Sequence, residues 1–255
     1  MIRDPRASAN TRVCSVQTAK MAGRGSDIRV AYFNEVFRLS RNSQHRKRNT
    51  EHKPLLEIHS RYHHELRTLF EADQADRRAL SEGILSQPEL SVHDIKRRQR
   101  LEELVADGAL VSGDDYYYAA FLLQHGTLPE EYRRAHDFAA QAVTRNSRPA
   151  RWLFAATLDR WLVARGERQQ YGTQYIRIGQ HGYAMYAVDP QVSDEERAQY
   201  DVPPLNEQLR TLTERNGGWP VPWVQRLNGK VQMVEPEDAP DVGPVHLIVP
   251  GGQGS

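Results

Sequence analysis

One cysteine, Cys14, stands in 255 residues, which excludes an intramolecular disulfide framework and a cysteine-ligated zinc site. Apolar side chains are also scarce. They make up 39% of the chain, too little for a sequence that packs from end to end, so part of it should lie outside any core. No apolar run approaches the ~18 residues that a spanning helix needs. Arg3, Arg6 and Arg12 are followed by no apolar segment of secretory type. A cytoplasmic protein without membrane contact is the default expectation. Net charge is nearly absent too, at +1, but that total hides an asymmetry. Residues 1–53 hold 12 of the 34 Lys/Arg and 4 of the 33 Asp/Glu, leaving 22 against 29 in the rest. The chain reads as a basic arm on an acidic body.

The arm, residues 1–53, mixes Arg, Ser, Asn and Gly with little periodicity and is expected to be disordered. Its densest cluster, Arg46-Lys47-Arg48, would suit a polyanion, although few aromatic residues accompany it for base stacking. From Pro54 to about Glu82 a helical period appears. Leu55, Ile58, Tyr62, Leu66, Leu69 and Phe70 recur at three- and four-residue steps, and the same stripe then lands on Asp73, Asp76 and Arg77. The core-facing side of this helix thus carries charge. His63-His64-Glu65 lacks the second histidine of a zinc-peptidase helix, because position 68 is Thr, so those histidines read as solvated and no metal is expected.

Ser91-Val92-His93-Asp94 suggests a capped start for the next helix, which Gly108 ends. Ser112-Gly113-Asp114-Asp115 caps a nearly all-apolar helix, Tyr116–Leu123, that finishes in Gln124-His125-Gly126. A helix from Pro129 to about Val143 turns Tyr132, Ala135, Ala139 and Ala142 inward. Between Pro149 and Gly166 lies the most apolar stretch, PARWLFAATLDRWLVARG, with Asp159 and Arg160 in its middle. It runs into Gln169-Gln170-Tyr171-Gly172-Thr173-Gln174, dense in amides and hydroxyls. Tyr175–Ile178 and Tyr183–Val188 read as a β-hairpin. Ser193-Asp194-Glu195-Glu196 is another cap, and Leu205, Leu209 and Leu212 mark a last helix ending at Asn216-Gly217. The expected fold is therefore mainly α, a multi-helix bundle or paired-helix array with a small β-hairpin near residues 174–188. The helical domain should span 54–217. Residues 218–255, rich in Pro and Gly, read as a loosely docked extension with Trp219 and Trp223 as anchors and Val245–Val249 as an extended run.

Five spaced motifs agree with one another: Asp-Gln-x-x-Arg at 73–77, Asp-Tyr-Tyr-x-Ala-Ala running to Gln-His-Gly at 115–126, Glu-Tyr-x-x-Ala-His at 131–136, Arg-Trp-Leu-x-Ala-x-x-x-Asp-Arg at 151–160, and Gln-x-Tyr-Gly-Thr-Gln at 169–174. Over about residues 58–215 the chain resembles an uncharacterised, mostly helical bacterial domain family of unknown function. That family more usually has Asp-x-x-Arg followed by Gly-Leu where this chain has Asp201-Val202. The resemblance implies domain limits and no activity.

A structural core rarely needs two Asp/Arg sets, a His, a Tyr and three Gln on adjoining elements, whereas a pocket for a polar small molecule needs convergent donors and acceptors. His125 is the one group whose ordinary pKa of ~6.5 suits acid–base work unshifted. Asp159 could orient it or act as base, and Tyr171 completes a candidate catalytic set. Asp73, Asp76, Arg77, Gln124, Arg160, Gln169, Thr173 and Gln174 are the candidate substrate-binding residues, with Arg77 and Arg160 able to hold a carboxylate or phosphate. Since i, i+1 neighbours face different ways on a helix, Arg160 is expected to pair with Asp73 or Asp76, and Asp159 with Arg77. The reading is a small-molecule enzyme of hydrolase, lyase or isomerase type without a cofactor. The alternative is a helical protein-interaction module whose Asp/Arg pairs are structural.

Deleting residues 1–50 should leave the fold intact. The melting temperature of the truncated chain checks this: a fall of more than ~8 °C would mean that the arm docks, since ~1 kcal/mol moves the melting point of a domain this size by ~2–4 °C.

Overall fold

The computed structural model describes residues 61–179 and 182–234; the basic arm, the first turns expected from Pro54, and Val245–Val249 lie outside them. Among the described residues the order is α1 (His63–Ser81), α2 (Gln87–Ala106), α3 (Gly113–Leu123), α4 (Pro129–Thr144), α5 (Ala150–Ala164), β1 (Tyr175–Arg177), β2 (Tyr183–Tyr186), α6 (Asp194–Gln199), α7 (Leu205–Arg215), β3 (Trp223–Leu227) and β4 (Lys230–Val234). The protein is mainly α with a small sheet.

Helix limits follow their caps. Ser112 opens α3 with a reciprocal box: its backbone N–H donates to Asp115 Oδ2 at 2.8 Å, and the Asp115 N–H donates to the Ser112 hydroxyl at 3.1 Å. The start read at Ser91 is displaced. The capping box is Ser86 with Glu89, Pro88 lies in the first turn, and Ser91 sits inside α2 with its hydroxyl on the Gln87 carbonyl. That extra turn brings Asp94 into the middle of α2.

Leu66, Leu101, Leu104, Leu122, Leu123 and Ala135 form the core of α1–α4, all at 0–2% exposure. Ala120, Phe121, Ala139 and Leu153 continue it to α5. On α4, Ala135, Ala139 and Ala142 are fully buried, the small inward face that lets neighbouring helices approach closely. The helix from the most apolar stretch, α5, buries Leu153, Ala155, Ala156, Thr157, Asp159 and Val163 and leaves Trp152, Phe154, Leu158 and Trp161 half-buried.

The hairpin is real but is half of a sheet, ordered β1-β2-β3-β4. β1 and β2 are antiparallel, β2 and β3 parallel, and β3 and β4 antiparallel. The β3–β4 turn is Asn228-Gly229, with φ of 50° and 74°, the positive angles that a tight two-residue hairpin turn demands. Residues read as a loosely docked extension thus supply two strands. Trp223 packs beside Met185 and the α7 leucines, whereas Trp219 is 74% exposed and anchors nothing. Alternation along the strands sends Ile176, Ala184, Tyr186 and Val224 towards Val163 of α5, and Met185 towards α7. The sheet therefore lies between α5 and α7 and holds the 169–174 segment against α5. No helix among the described residues is long and apolar enough to cross a membrane.

His63, expected to be solvated, instead joins α1 to the α3 cap, its Nδ1 2.8 Å from Asp115 Oδ1. Burial works to raise the Asp115 carboxyl, but the Ser112 N–H and His63 outweigh it and hold the group below its ordinary value. A lowered folded-state value contributes stability that is present above the unfolded value and lost as pH falls through the folded one. Between about pH 5 and about pH 3, the wild-type melting temperature should therefore fall more steeply than that of Asp115→Asn. Parallel curves would remove this cap from the acid response.

Candidate functional site

α1 and α2 meet through a buried ion network. Arg77 donates to Asp73 Oδ1 at 2.9 Å and to both Asp94 oxygens at 2.9 and 3.0 Å. Arg97 donates to Asp94 Oδ1 at 2.9 Å and to Asp76 Oδ2 at 2.6 Å. Asp73, Arg77, Asp94 and Arg97 are all under 9% exposed. His93, its ring 43% exposed, reaches Asp76 from the solvent side at 2.9 Å. At the inner end His125 Nε2 lies 3.7 Å from Asp73 Oδ2. Burial pushes the Asp73 carboxyl up, opposed by Arg77, while at the rim Asp76 is held below its ordinary value by Arg97 and His93 against a smaller degree of burial.

The pairing expected between helices does not form. Arg77 is paired within α1 and with α2, and Asp159 meets no guanidinium. Instead Asp159, fully buried, receives the Gln170 N–H at 2.7 Å and the Tyr171 N–H at 3.0 Å on Oδ1, and the Thr173 N–H at 2.9 Å and hydroxyl at 2.7 Å on Oδ2. Charge-assisted hydrogen bonds from backbone amides take the place of a cation at the buried carboxylate. Burial pushes Asp159 up and these donors pull it back. The turn closes through Gly172 at φ 82°, where a side chain would be strained and would press on Leu205. Gln169 locks the turn, its amide donating to the Gln174 and Tyr186 carbonyls at 2.9 and 2.7 Å and its Oε1 accepting the Gln174 N–H at 2.7 Å.

Arg160 ties this turn to the end of α3. Its guanidinium donates to the Gln124 carbonyl and, at 3.4 Å, to Gln174 Oε1. From the other side Arg98 of α2 donates to the His125 carbonyl at 3.3 Å and pairs with Glu131 of α4 at 3.2 Å. Two guanidiniums thus clamp the Gln124-His125 step. His125 is 8% exposed, its ring edge-to-face with Phe121, so it lies buried just past the helix end and not open at the surface. Gln124 is 2% exposed, and its Oε1 is a buried acceptor with no hydrogen-bond partner.

Asp73, Arg77, Gln124, His125, Arg160, Gln169, Thr173, Gln174 and Asp159 therefore belong to one connected system. Asp76 is its solvent-side end. Tyr171 contributes its backbone, but its ring belongs to the apolar cluster of Ala155 and Val202, against Tyr200, and burial pushes the phenol up, away from use at neutral pH. Sequence reasoning missed Asp94 and Arg97. Their i, i+3 spacing on the helix after Asp73–Arg77 was the available signal. Beside the clamp, a groove of roughly 340 Å³ opens between α2 and α4, lined by Ile95, Arg98, Gln99, Leu123, Glu131 and Arg134 among others. Among the described residues no group of His, Cys, Asp and Glu is arranged to hold a metal ion.

Arg160→Ala should cost ~1.5–3 kcal/mol in urea unfolding, the range for hydrogen bonds from a charged donor. Arg165→Ala, which removes an exposed pair with Glu167, should cost under ~1 kcal/mol. Equal small losses would show that the clamp on Gln124 carries no stability.

No curated protein and no solved structure matches the chain. The model of a family of unknown function, DUF6624, matches residues 61–219, which takes in every motif from Asp73 to Gln174. Over more than half its length, then, this chain is a member of that family, and it belongs to DUF6624.

Proposed function

We propose that the domain is a small-molecule enzyme of hydrolase, lyase or isomerase type, with the reacting group of its ligand held at the Gln124-His125 step. The observation that carries this reading is the pairing, on adjacent residues, of a buried amide oxygen without a partner at Gln124 and an imidazole 3.7 Å from a buried carboxylate at His125. A buried acceptor left unpaired costs ~1–3 kcal/mol, a cost that a ligand donor would relieve. His125 is the acid–base group. Three other histidines are committed elsewhere: His63 to the α3 cap, His93 to half-buried Asp76, and His136 to the Phe154 carbonyl, with burial pushing its imidazole down. Asp73 faces His125 in the place first given to Asp159. Asp159 and Gln169 act as positioning residues by holding the turn that presents Gln174 to Arg160. Arg98 and Arg160 keep the step in place, and the groove beside Arg98 is the approach for a polar ligand.

A second reading, the helical interaction module, draws on different facts. Asp159 and Tyr171 are enclosed and satisfied internally, and Ile95, 48% exposed, lies in an open groove between helices. In that reading the α2–α4 groove is the working surface and the ion network only sets helix register.

Native mass spectrometry of the as-purified full chain, with a crystal structure of the same sample, separates the two. A bound small molecule at Gln124-His125 that is absent from His125→Gln, with the variant melting within ~2–4 °C of wild type, is the expected outcome. His125→Gln that unfolds more easily by ~1–3 kcal/mol, with no bound molecule in either protein, would overturn the enzyme reading.

A further inference from the structure

The α1–α2 network is unbalanced. Asp73, Asp76 and Asp94 supply three carboxylates, and Arg77 and Arg97 supply two guanidiniums. Asp76 is the most exposed member, at 22%, and has His93 and solvent to share. Asp73 and Asp94 are at 1% and 3%. An uncompensated charge at that depth is strongly disfavoured. On the inner side the ring that meets Asp73 is that of His125.

We propose that Asp73 is the positioning residue that sets the charge of His125, which keeps both ring protons at neutral pH and completes the balance of the network. Asp73 itself is arranged as an anion. Burial and the neighbouring Asp94 charge push its carboxyl up, but its Oδ1 accepts from Arg77 and lies 3.8 Å from Arg97, and its Oδ2 accepts from Arg77 Nε at 3.3 Å and from the Gln74 amide at 3.1 Å, so every hydrogen bond it makes comes from a donor. The proton therefore belongs on the imidazole. Three side chains around the step act on its backbone. Arg98 of α2 holds the His125 carbonyl and is paired with Glu131 of α4. Arg160 of α5 holds the Gln124 carbonyl, and Tyr132 of α4 donates to the Gly126 carbonyl at 2.9 Å. The guanidiniums address peptide oxygens, whereas the carboxylate addresses the ring. A cationic His125 beside a hydrogen-bond-accepting Gln124 defines the ligand class, in the enzyme reading on which this last step rests: a group with a negatively charged or polarised oxygen next to an N–H or O–H donor.

Two-bond nitrogen–proton NMR of the imidazoles in the labelled full chain at about pH 7.5 tests the charge, because an unperturbed histidine is there about nine-tenths neutral. Wild type should show the doubly protonated pattern at His125. Asp73→Glu should preserve it, and Asp73→Asn should convert it to a neutral tautomer. A neutral His125 in wild type overturns the proposal, as does a cationic one in Asp73→Asn. If Asp73→Asn does not fold, the wild-type and Asp73→Glu patterns decide. No ligand enters this measurement, so failure of the enzyme reading leaves the NMR result standing, and the converse also holds.

Discussion

The placement of the Gln124-His125 step depends on one half-buried guanidinium. Arg160 and Asp159 are neighbours on α5 and so point about 100° apart around the helix. Asp159 faces the turn that follows α5 and draws in three of its peptide N–H groups. Arg160 faces α3 and holds the carbonyl of Gln124. The two residues do not neutralise each other, and each is compensated by backbone. Through that division of labour a polar turn next to the sheet and a helix end in the bundle are placed relative to each other by a single turn of α5. Gln174 closes the link, accepting from Arg160 while its own amide donates to the Ala156 carbonyl on the same helix.

The second constraint is the ion network between α1 and α2. Burying such groups is rarely the most stabilising choice, since well-packed apolar residues in their place often leave a protein as stable or more so. Yet Asp73 and Arg77 occupy the continuation of an apolar stripe on α1 that starts at Leu66 and runs through Leu69 and Phe70, and they meet Asp94 and Arg97 of α2. Three residues of that stripe, Phe70 among them, pack on the aromatic cluster and core of α3. The stripe turns ionic where it approaches the end of α3, where His125 lies.

Much of this was legible in the sequence. Ser112-x-x-Asp115, Pro129, Pro149 and Gly166 bracket α3, α4 and α5 because caps and stops act locally, within four residues. The polar residues of the connected system were also legible, since amides and charges inside apolar helices stand out whatever they contact. Partners were not. Helical phase says that Asp159 and Arg160 face different neighbours, but it cannot say that the neighbour is a backbone amide, because every residue has one. Hence Asp159 was read as the mate of Arg77, when its mates were the N–H groups of Gln170, Tyr171 and Thr173. The start of α2 was misplaced for a related reason. Ser86-x-x-Glu89 and Ser91-x-x-Asp94 both fit a capping box, so the motif alone does not select between them, and the helix starts at the first. The strands β3 and β4 were missed because Pro and Gly dominate their surroundings. The Asn228-Gly229 signal was present, but β3 finds its parallel partner, β2, only after two intervening helices, a pairing that no local pattern encodes.

Whether the charges serve register or chemistry turns on how the network ends. A device that only aligns α1 with α2 is complete when its ions match, and it gains nothing from a further acid. Here two guanidiniums face three carboxylates, and the chain supplies imidazoles, His93 at the rim and His125 at the inner end, instead of a third arginine. A guanidinium would have stayed charged under all conditions and made a stronger pair. Histidine is the weaker structural choice and the only common side chain that can give up or regain a proton near neutral pH without a large shift. Its placement past the end of α3, between two clamped carbonyls and next to an unsatisfied amide oxygen, is hard to derive from packing alone. It follows directly if the step must present a proton to something that comes and goes.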